Sequence, residues 1–423
     1  MYDLILGFMQ EIMNLGAAVL LPVIISILGL IFRMKPGNAI KSGLLVGIGF
    51  QGLGLIVSFM ITSLQPVLSF YQSMGSGYDT VEIGFAALGA ASWTVPFAIF
   101  AVPSIIIVNI IMLRFKLTRV MNVDIWNFMH FLVPGALAFA LTGSAVFGFI
   151  VTVGLSVVTL FIAEKAAPEW QEQFGLDGTT CSTLSLVGWE WPIAWIINKI
   201  LDAIPGINKI SLDLETVSQK LGIFGDPAFI GVIAGLFLTL MTGQSIETIL
   251  TVCMAMAAVM VLIPRMVGIM MEGITPIGNA ANGYMKQKIG NEEDIVIGMD
   301  VAMGLGDPAC ITCTAIMIPI TIGLSFLVPG MRFFPLGLLA EVCYISVMPV
   351  MATKGNIFRT LVIMTIFMFF SMWFMSMNAD FATAMLNITK VSFEGASVTA
   401  SHFGWNPGCL LVTIIARLMG IAV

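Results

Sequence analysis

Charge is what this chain has least of. Only 10% of its 423 residues are Asp, Glu, Lys or Arg, against roughly 25% in an average soluble domain. So thin a polar complement cannot cover a water-soluble globule, which excludes a soluble enzyme and a disordered scaffold. Cationic residues are the scarcer sign, 18 against 24 acidic for a net charge of -6. No basic patch can neutralise phosphates, so a nucleic-acid partner is excluded too. Histidine occurs twice and cysteine six times. Cys253 and Cys343 lie inside apolar runs, where they read as small hydrophobes rather than disulfide partners. Cys310-x-x-Cys313 has redox or metal spacing but stands alone between Ile and Thr, and no metal role is expected. There is no GxxxxGK[ST] loop, no nucleophile–base pair and no metal-ligand set.

What the chain does have is apolar length. Hydrophobic residues make up 58%, with 42 Gly, 30 Phe and 30 Met; the methionines read as core packing. Crossing a bilayer takes about 20 mainly apolar residues. Such runs cover 15–32, 43–63, 95–113, 128–141 with its flanks, 143–163, 224–241, 246–268, 309–328, 333–352 and 357–376, with a shorter one at 408–423. The expectation is an all-α integral membrane protein with ten or eleven crossings. The first run reads as an anchor, not a cleaved signal. Arg33, Lys35 and Lys41 follow the first span, Arg114, Lys116 and Arg119 the third, Lys165 the fifth, and Arg265, Lys286 and Lys288 the seventh; Lys354 and Arg359 lie between the ninth and tenth. By the positive-inside rule these mark the cytoplasmic side and put the N-terminus outside. Arg332 is the exception. The stretch 270–294 reads as an amphipathic cytoplasmic segment, either a structural arm or a docking surface.

The sequence also echoes itself. Leu30–Leu44 resembles Leu236–Leu250, and DTVEIGFAALGAASW (79–93) resembles DIVIGMDVAMGLGD (294–307). DGTTCSTLSLVGWEWP (177–192) resembles EGASVTASHFGWNP (394–407). The shared order and near-constant offset divide the chain into two repeats. Residues 1–223 carry five spans and a polar hairpin at 177–203; residues 224–423 carry five spans, a hairpin at 394–407 and a terminal helix. Five spans between the copies make them inverted, the architecture of transporters with a midplane site.

Polar groups inside such a chain mark candidate sites. The segments 177–192 and 394–407 are too polar for lipid-facing helices and read as re-entrant hairpins or broken helices, or alternatively as surface loops. Trp93 and Thr94 occupy a glycine- and proline-interrupted turn, and Asp307 the matching turn of the second copy. Asp307 can accept hydrogen bonds from vicinal hydroxyls; its other reading is a helix N-cap. His130, with Asn127 nearby, and Glu341 near its repeat counterpart make a proton acceptor and polyol clamp, or else a core histidine bonded to a carbonyl. His402 is a lesser candidate.

Five longer strings add a family resemblance: AVPSIIIVNIIMLRFKLTR (101–119), RVMNVDIWNFMHF (119–131), IPGINKI (204–210), IPRMVGIMMEGITPIGNAANGYM (263–285) and KGNIFRTL (354–361). Through nearly its whole length the chain resembles the galactitol-type IIC permeases of the bacterial phosphotransferase system, relatives of the ascorbate permeases. The resemblance implies a homodimer in the bacterial inner (cytoplasmic) membrane. Each protomer would have a V-shaped scaffold and a mobile core moving as an elevator. It implies a polyol substrate, no cofactor, and a soluble IIB partner whose phosphocysteine, recharged through IIA, phosphorylates the incoming solute. No IIA or IIB domain is attached, so those partners are expected on other chains.

Carried over position by position, the resemblance assigns substrate binding to Trp93, Thr94, Asn127, His130, Thr179, Thr180 and Asp307, to which the reading of the residues adds Glu341. No catalytic residue is expected on this chain unless His130 or Asp307 serves as a base. The string DGTTC lacks the histidine that galactitol-type relatives carry ahead of Gly-Thr, and Asp307 also departs from them. Both leave room for another hexitol or a pentitol. The other readings are an ion-coupled secondary transporter of a small polar solute, or a IIC for ascorbate.

Overall fold

The computed structural model describes residues 17–74, 78–92, 94–124, 126–210, 212, 227–289, 295–389 and 397–421. Helices form wherever apolar runs allow them. The first are α1 (Ala17–Ile31), α2 (Pro36–Met74), α3 (Gly84–Ser92), α4 (Ala98–Arg114), α5 (Met129–Thr142), α6 (Ala145–Phe174) and α7 (Trp191–Ala203). Then come α8 (Pro227–Met241), α9 (Ile246–Ile289), α10 (Pro308–Leu327), α11 (Leu336–Ile345), α12 (Val347–Thr353), α13 (Ile357–Met377), α14 (Ala379–Asn387), α15 (His402–Trp405) and α16 (Pro407–Leu418). Among the described residues four stretches are long and apolar enough to cross a membrane: α6, Ile246–Ala281 of α9, α10 and α13. Several shorter apolar helices accompany them.

The long helices α2 and α9 pack on each other, with α1 against α2 and α8 against α9. At 39 and 44 residues they run roughly 58 and 66 Å at 1.5 Å per residue, about twice the hydrocarbon thickness. Apolar association has little driving force in lipid, so close backbone approach must supply it. A Cβ on Gly235 would lie 2.8 Å from Cys253 Cα. The sequence expectation of a separate segment at 270–294 is modified here, because α9 continues unbroken to Ile289. Met270, Ile274, Ile277 and Ala281 recur at helical spacing and are buried, which holds those turns in the bundle. Residues 290–294 lie outside the described residues.

The remaining helices surround two small parallel sheets. β1 (Thr80–Glu82) pairs with β5 (Ser397–Thr399), Thr80 opposite Ser397. β4 (Val296–Met299) lies between β2 (Val120–Asn122) and β3 (Thr179–Cys181), with Val120 opposite Val296 and Cys181 opposite Met299. β3 and β4 are wholly buried. Backbone amides so placed must be paired within protein. The polar segments of the sequence therefore enter the interior as short strands. After β3 the chain makes a π-helical turn (Leu186–Glu190) into α7; after β5 it forms α15 and α16. All six cysteines are buried and free.

Candidate binding cavity

A cavity of about 170 Å³ lies among the ends of these strands. Its polar wall comprises Asn127, His130, Thr183, Asp300 and Glu341; Phe50, Phe85, Tyr344 and Trp405 supply aromatic surface. The local fold explains each polar group. After β2 the Asn122 side chain accepts the Asp124 N–H at 3.0 Å, turning the chain into a short helical turn that carries Asn127. Asn127 Nδ2 donates to Asp124 Oδ2 at 2.5 Å and to Asp300 Oδ2 at 2.8 Å, and lies 3.3 Å from Thr183 Oγ1. One amide thus bridges two buried carboxylates. Asp300 leaves β4 and caps the next turn, its Oδ1 accepting the Ala302 N–H at 2.7 Å. Thr183 Oγ1 accepts the Val301 N–H at 3.2 Å.

Also lining the cavity, Glu341 of α11 accepts the Phe85 N–H on Oε1 at 2.7 Å. Its Oε2 is buried and has no protein partner. The neighbouring Glu82, at the end of β1, accepts the Gly84 N–H at 2.7 Å and the Leu338 N–H at 2.9 Å. His130 Nδ1 lies 2.7 Å from Ser185 Oγ, and the His402 ring packs against it, centroids 4.6 Å apart. An unpartnered carboxylate oxygen and an amide–carboxylate cluster in one apolar-walled chamber can replace the hydration of an uncharged polyhydroxyl solute. Aromatic faces suit its C–H edges.

Of the residues singled out by sequence, the structure brings Asn127, His130 and Glu341 together around the cavity. It places Thr94, Thr179, Thr180 and Asp307 elsewhere. Thr94 donates to the Ala91 carbonyl at 2.8 Å in the turn after α3. Thr179 donates to the Leu176 carbonyl at 2.7 Å and accepts from Trp170 Nε1 at 3.0 Å. Thr180 donates to the Ala163 carbonyl at 2.7 Å. Asp307 caps α10, accepting the Ala309 N–H at 2.8 Å and Gln173 Nε2 at 2.7 Å. Trp93 lies outside the described residues. Asp300, Thr183 and Asp124 were not singled out. For the two aspartates the signal was an acid set among apolar residues, as in VIGMDVAM and NVDIWNF, whereas Thr183 is one of several hydroxyls in the polar stretch TTCSTLS.

Residues 11–396 match the family model EIIC-GAT, described as the PTS system sugar-specific permease component. A protein of Escherichia coli (strain K12), the "PTS system galactitol-specific EIIC component", is 33% identical over 405 residues, covering 94% of this chain and 88% of the relative. The protein of the same name in Escherichia coli O157:H7 matches equally. A "Putative permease IIC component" of strain K12 is 30% identical over 402 residues, 93% of this chain and 92% of the relative. With its apolar helices and a family match over nearly its full length, the chain is a multi-pass membrane protein that belongs to the EIIC-GAT family of phosphotransferase-system sugar permease components.

Proposed function

We propose that the chain imports galactitol or a similar hexitol across the bacterial inner membrane, with phosphorylation by the phosphocysteine of a separate IIB protein. The observation that carries this is the cavity. Asp300 and Glu341 accept from hydroxyl hydrogens, Asn127 holds the Asp300 carboxylate while Thr183 holds the Val301 N–H that follows it, and His130 completes the polar wall. A hexitol loses several hydrogen bonds to water on entry, each costing about 1–3 kcal/mol if unreplaced, so convergent polar groups are required. Phosphorylation makes import effectively irreversible, since a charged ester does not partition back through the apolar core. IIB supplies the phosphoryl group, so the carrier need only present a hydroxyl in line.

The inverted repeats at 1–223 and 224–423 belong to the same proposal, and the strand pairing supports them. β1 lies in 79–93 and β4 in its echo 294–307; β3 lies in 177–192 and β5 in its echo 394–407. Exchanging the copies turns the β1–β5 pair into the β4–β3 pair. In this reading α1, α2, α8 and α9 are the scaffold of a homodimer, and the helices around the sheets are the mobile core. The outlying candidates Thr94, Thr179, Thr180 and Asp307 then act on the frame around the cavity rather than on the ligand. The test is galactitol binding to purified protein in nanodiscs, followed by phosphorylation with matched phosphorylated IIB. Specific binding and formation of galactitol phosphate are expected. Ion-driven accumulation in vesicles without IIB would establish a secondary carrier instead.

A further inference from the structure

Pro134 stands four residues after His130 in α5 and has no N–H, so the His130 carbonyl lacks its usual helical partner. Asn406 takes that place, its Nδ2 donating to the carbonyl at 2.9 Å. The orientation of that amide is settled by its other end. Asn406 caps α16, and Oδ1 accepts the Gly408 N–H at 2.9 Å and the Cys409 N–H at 3.2 Å. Two backbone donors on one atom identify it as the oxygen. Gly408 permits the approach, since a Cβ there would lie 2.8 Å from Pro134 Cβ.

The remaining Nδ2 hydrogen goes to Ser185 Oγ at 3.1 Å. Ser185 Oγ is also 2.7 Å from His130 Nδ1. Among the described residues these are the hydroxyl's two partners, and the Asn406 nitrogen has no lone pair to offer. The single hydroxyl hydrogen therefore points at Nδ1. Were Nδ1 protonated, in a neutral ring or an imidazolium, that hydrogen would be stranded in a buried site. We propose that Asn406 and Ser185 are positioning residues that fix His130 with its proton on Nε2, making it a hydrogen-bond donor to the solute and not a base. The proposal rests on the cavity being the substrate site. Asp300 and Glu341 then accept while His130 donates, so one hydroxyl can take a hydrogen bond from the imidazole on its oxygen and give its own hydrogen to a carboxylate.

Two histidines in the whole chain make the test direct. Nitrogen NMR of protein carrying isotope-labelled histidine, in nanodiscs at neutral pH, shows two rings, and His402→Gln tells them apart. Expected is a pyridine-type Nδ1 and a pyrrole-type Nε2 on His130. Ser185→Ala should give mixed tautomers and weaken galactitol binding about tenfold, the scale of one hydrogen bond; Ser185→Thr should restore both. A protonated Nδ1 in the unmodified protein, or an unchanged tautomer in Ser185→Ala, overturns the assignment. If the tautomer is as expected but galactitol leaves the His130 resonances unmoved, the donor role fails because the cavity is not where the solute sits.

Discussion

The two small sheets are built on one plan and finished differently. In each, an arginine carbonyl receives the first strand amide: Arg332 takes the Thr80 N–H at 3.0 Å, and Arg119 takes the Val296 N–H at 2.9 Å. In each, an acid closing or following the strand accepts the N–H two residues on, Glu82 from Gly84 and Asp300 from Ala302. Glu82 gives its second oxygen to another backbone amide, that of Leu338, whereas Asp300 gives its second to the Asn127 side chain. The first acid is absorbed by the frame. The second stays at the cavity wall, where Glu341 provides another acid. Similar backbone thus yields a structural carboxylate at one end and a cavity-facing one at the other.

The comparison breaks most severely at Asn127. Asn127→Leu leaves Asp124 and Asp300 buried without their shared amide and should cost about 3–5 kcal/mol, the range for stranding a buried charge; thermal unfolding in nanodiscs measures it. Gly337→Ala strikes the other end. Its Cβ would sit 2.6 Å from Glu82 Oε2 and 2.8 Å from Gly84 Cα, so a loss of about 1–3 kcal/mol is expected from overpacking, with galactitol affinity retained in whatever fraction folds. The two acids then separate by readout. Asp300→Asn should weaken galactitol binding at least about tenfold, by the cost of one charged hydrogen bond. Glu82→Gln should lower the melting temperature by the equivalent of about 1–2 kcal/mol while leaving affinity unchanged. Equal affinity losses in both would end the distinction.

The smallest effect concerns the arginines. Arg332 pairs with Asp79 at 3.1 Å and Asp380 at 2.9 Å, which accounts for a cation on the side that the charge pattern leaves free of them. Those acids are more than half exposed, so Arg332→Gln should cost less than about 1 kcal/mol. The guanidinium, with the Thr80 hydroxyl, holds the Asp79 carboxyl below its ordinary value of 3.8. A lowered carboxyl contributes its stability above that value and loses it as pH falls through the folded one. The melting difference between wild type and Asp79→Asn should therefore be constant from pH 7 to about 5 and shrink only below about 4.

The helices were legible because a membrane span needs an uninterrupted apolar run, and the runs at 309–328 and 357–376 fall within a residue of α10 and α13. Asn127, His130 and Glu341 were legible as polar groups in apolar surroundings. Asp307 carried the same signal, yet the structure uses it as a cap bonded to Gln173; a carboxylate before proline at a helix start satisfies backbone amides wherever it faces. The partnership of Pro134 with Asn406 was not legible at all. Each has a sufficient local reason to be there, and only the fold brings the vacant carbonyl to the spare amide. Asp300 was visible inside the repeat but not as a wall, because one strand says nothing of what its end will face.

The pairing of β1 with β5 has a bearing on biosynthesis. Thr80 finds its partner at Ser397, so a nascent chain has threaded nearly all its helices into the bilayer before that ladder can close. Contacts of such sequence separation form late. A ribosome halted before the final hairpin leaves a membrane intermediate with an open strand edge, the kind of surface on which aggregation begins and by which quality-control proteases can tell unfinished carriers from finished ones.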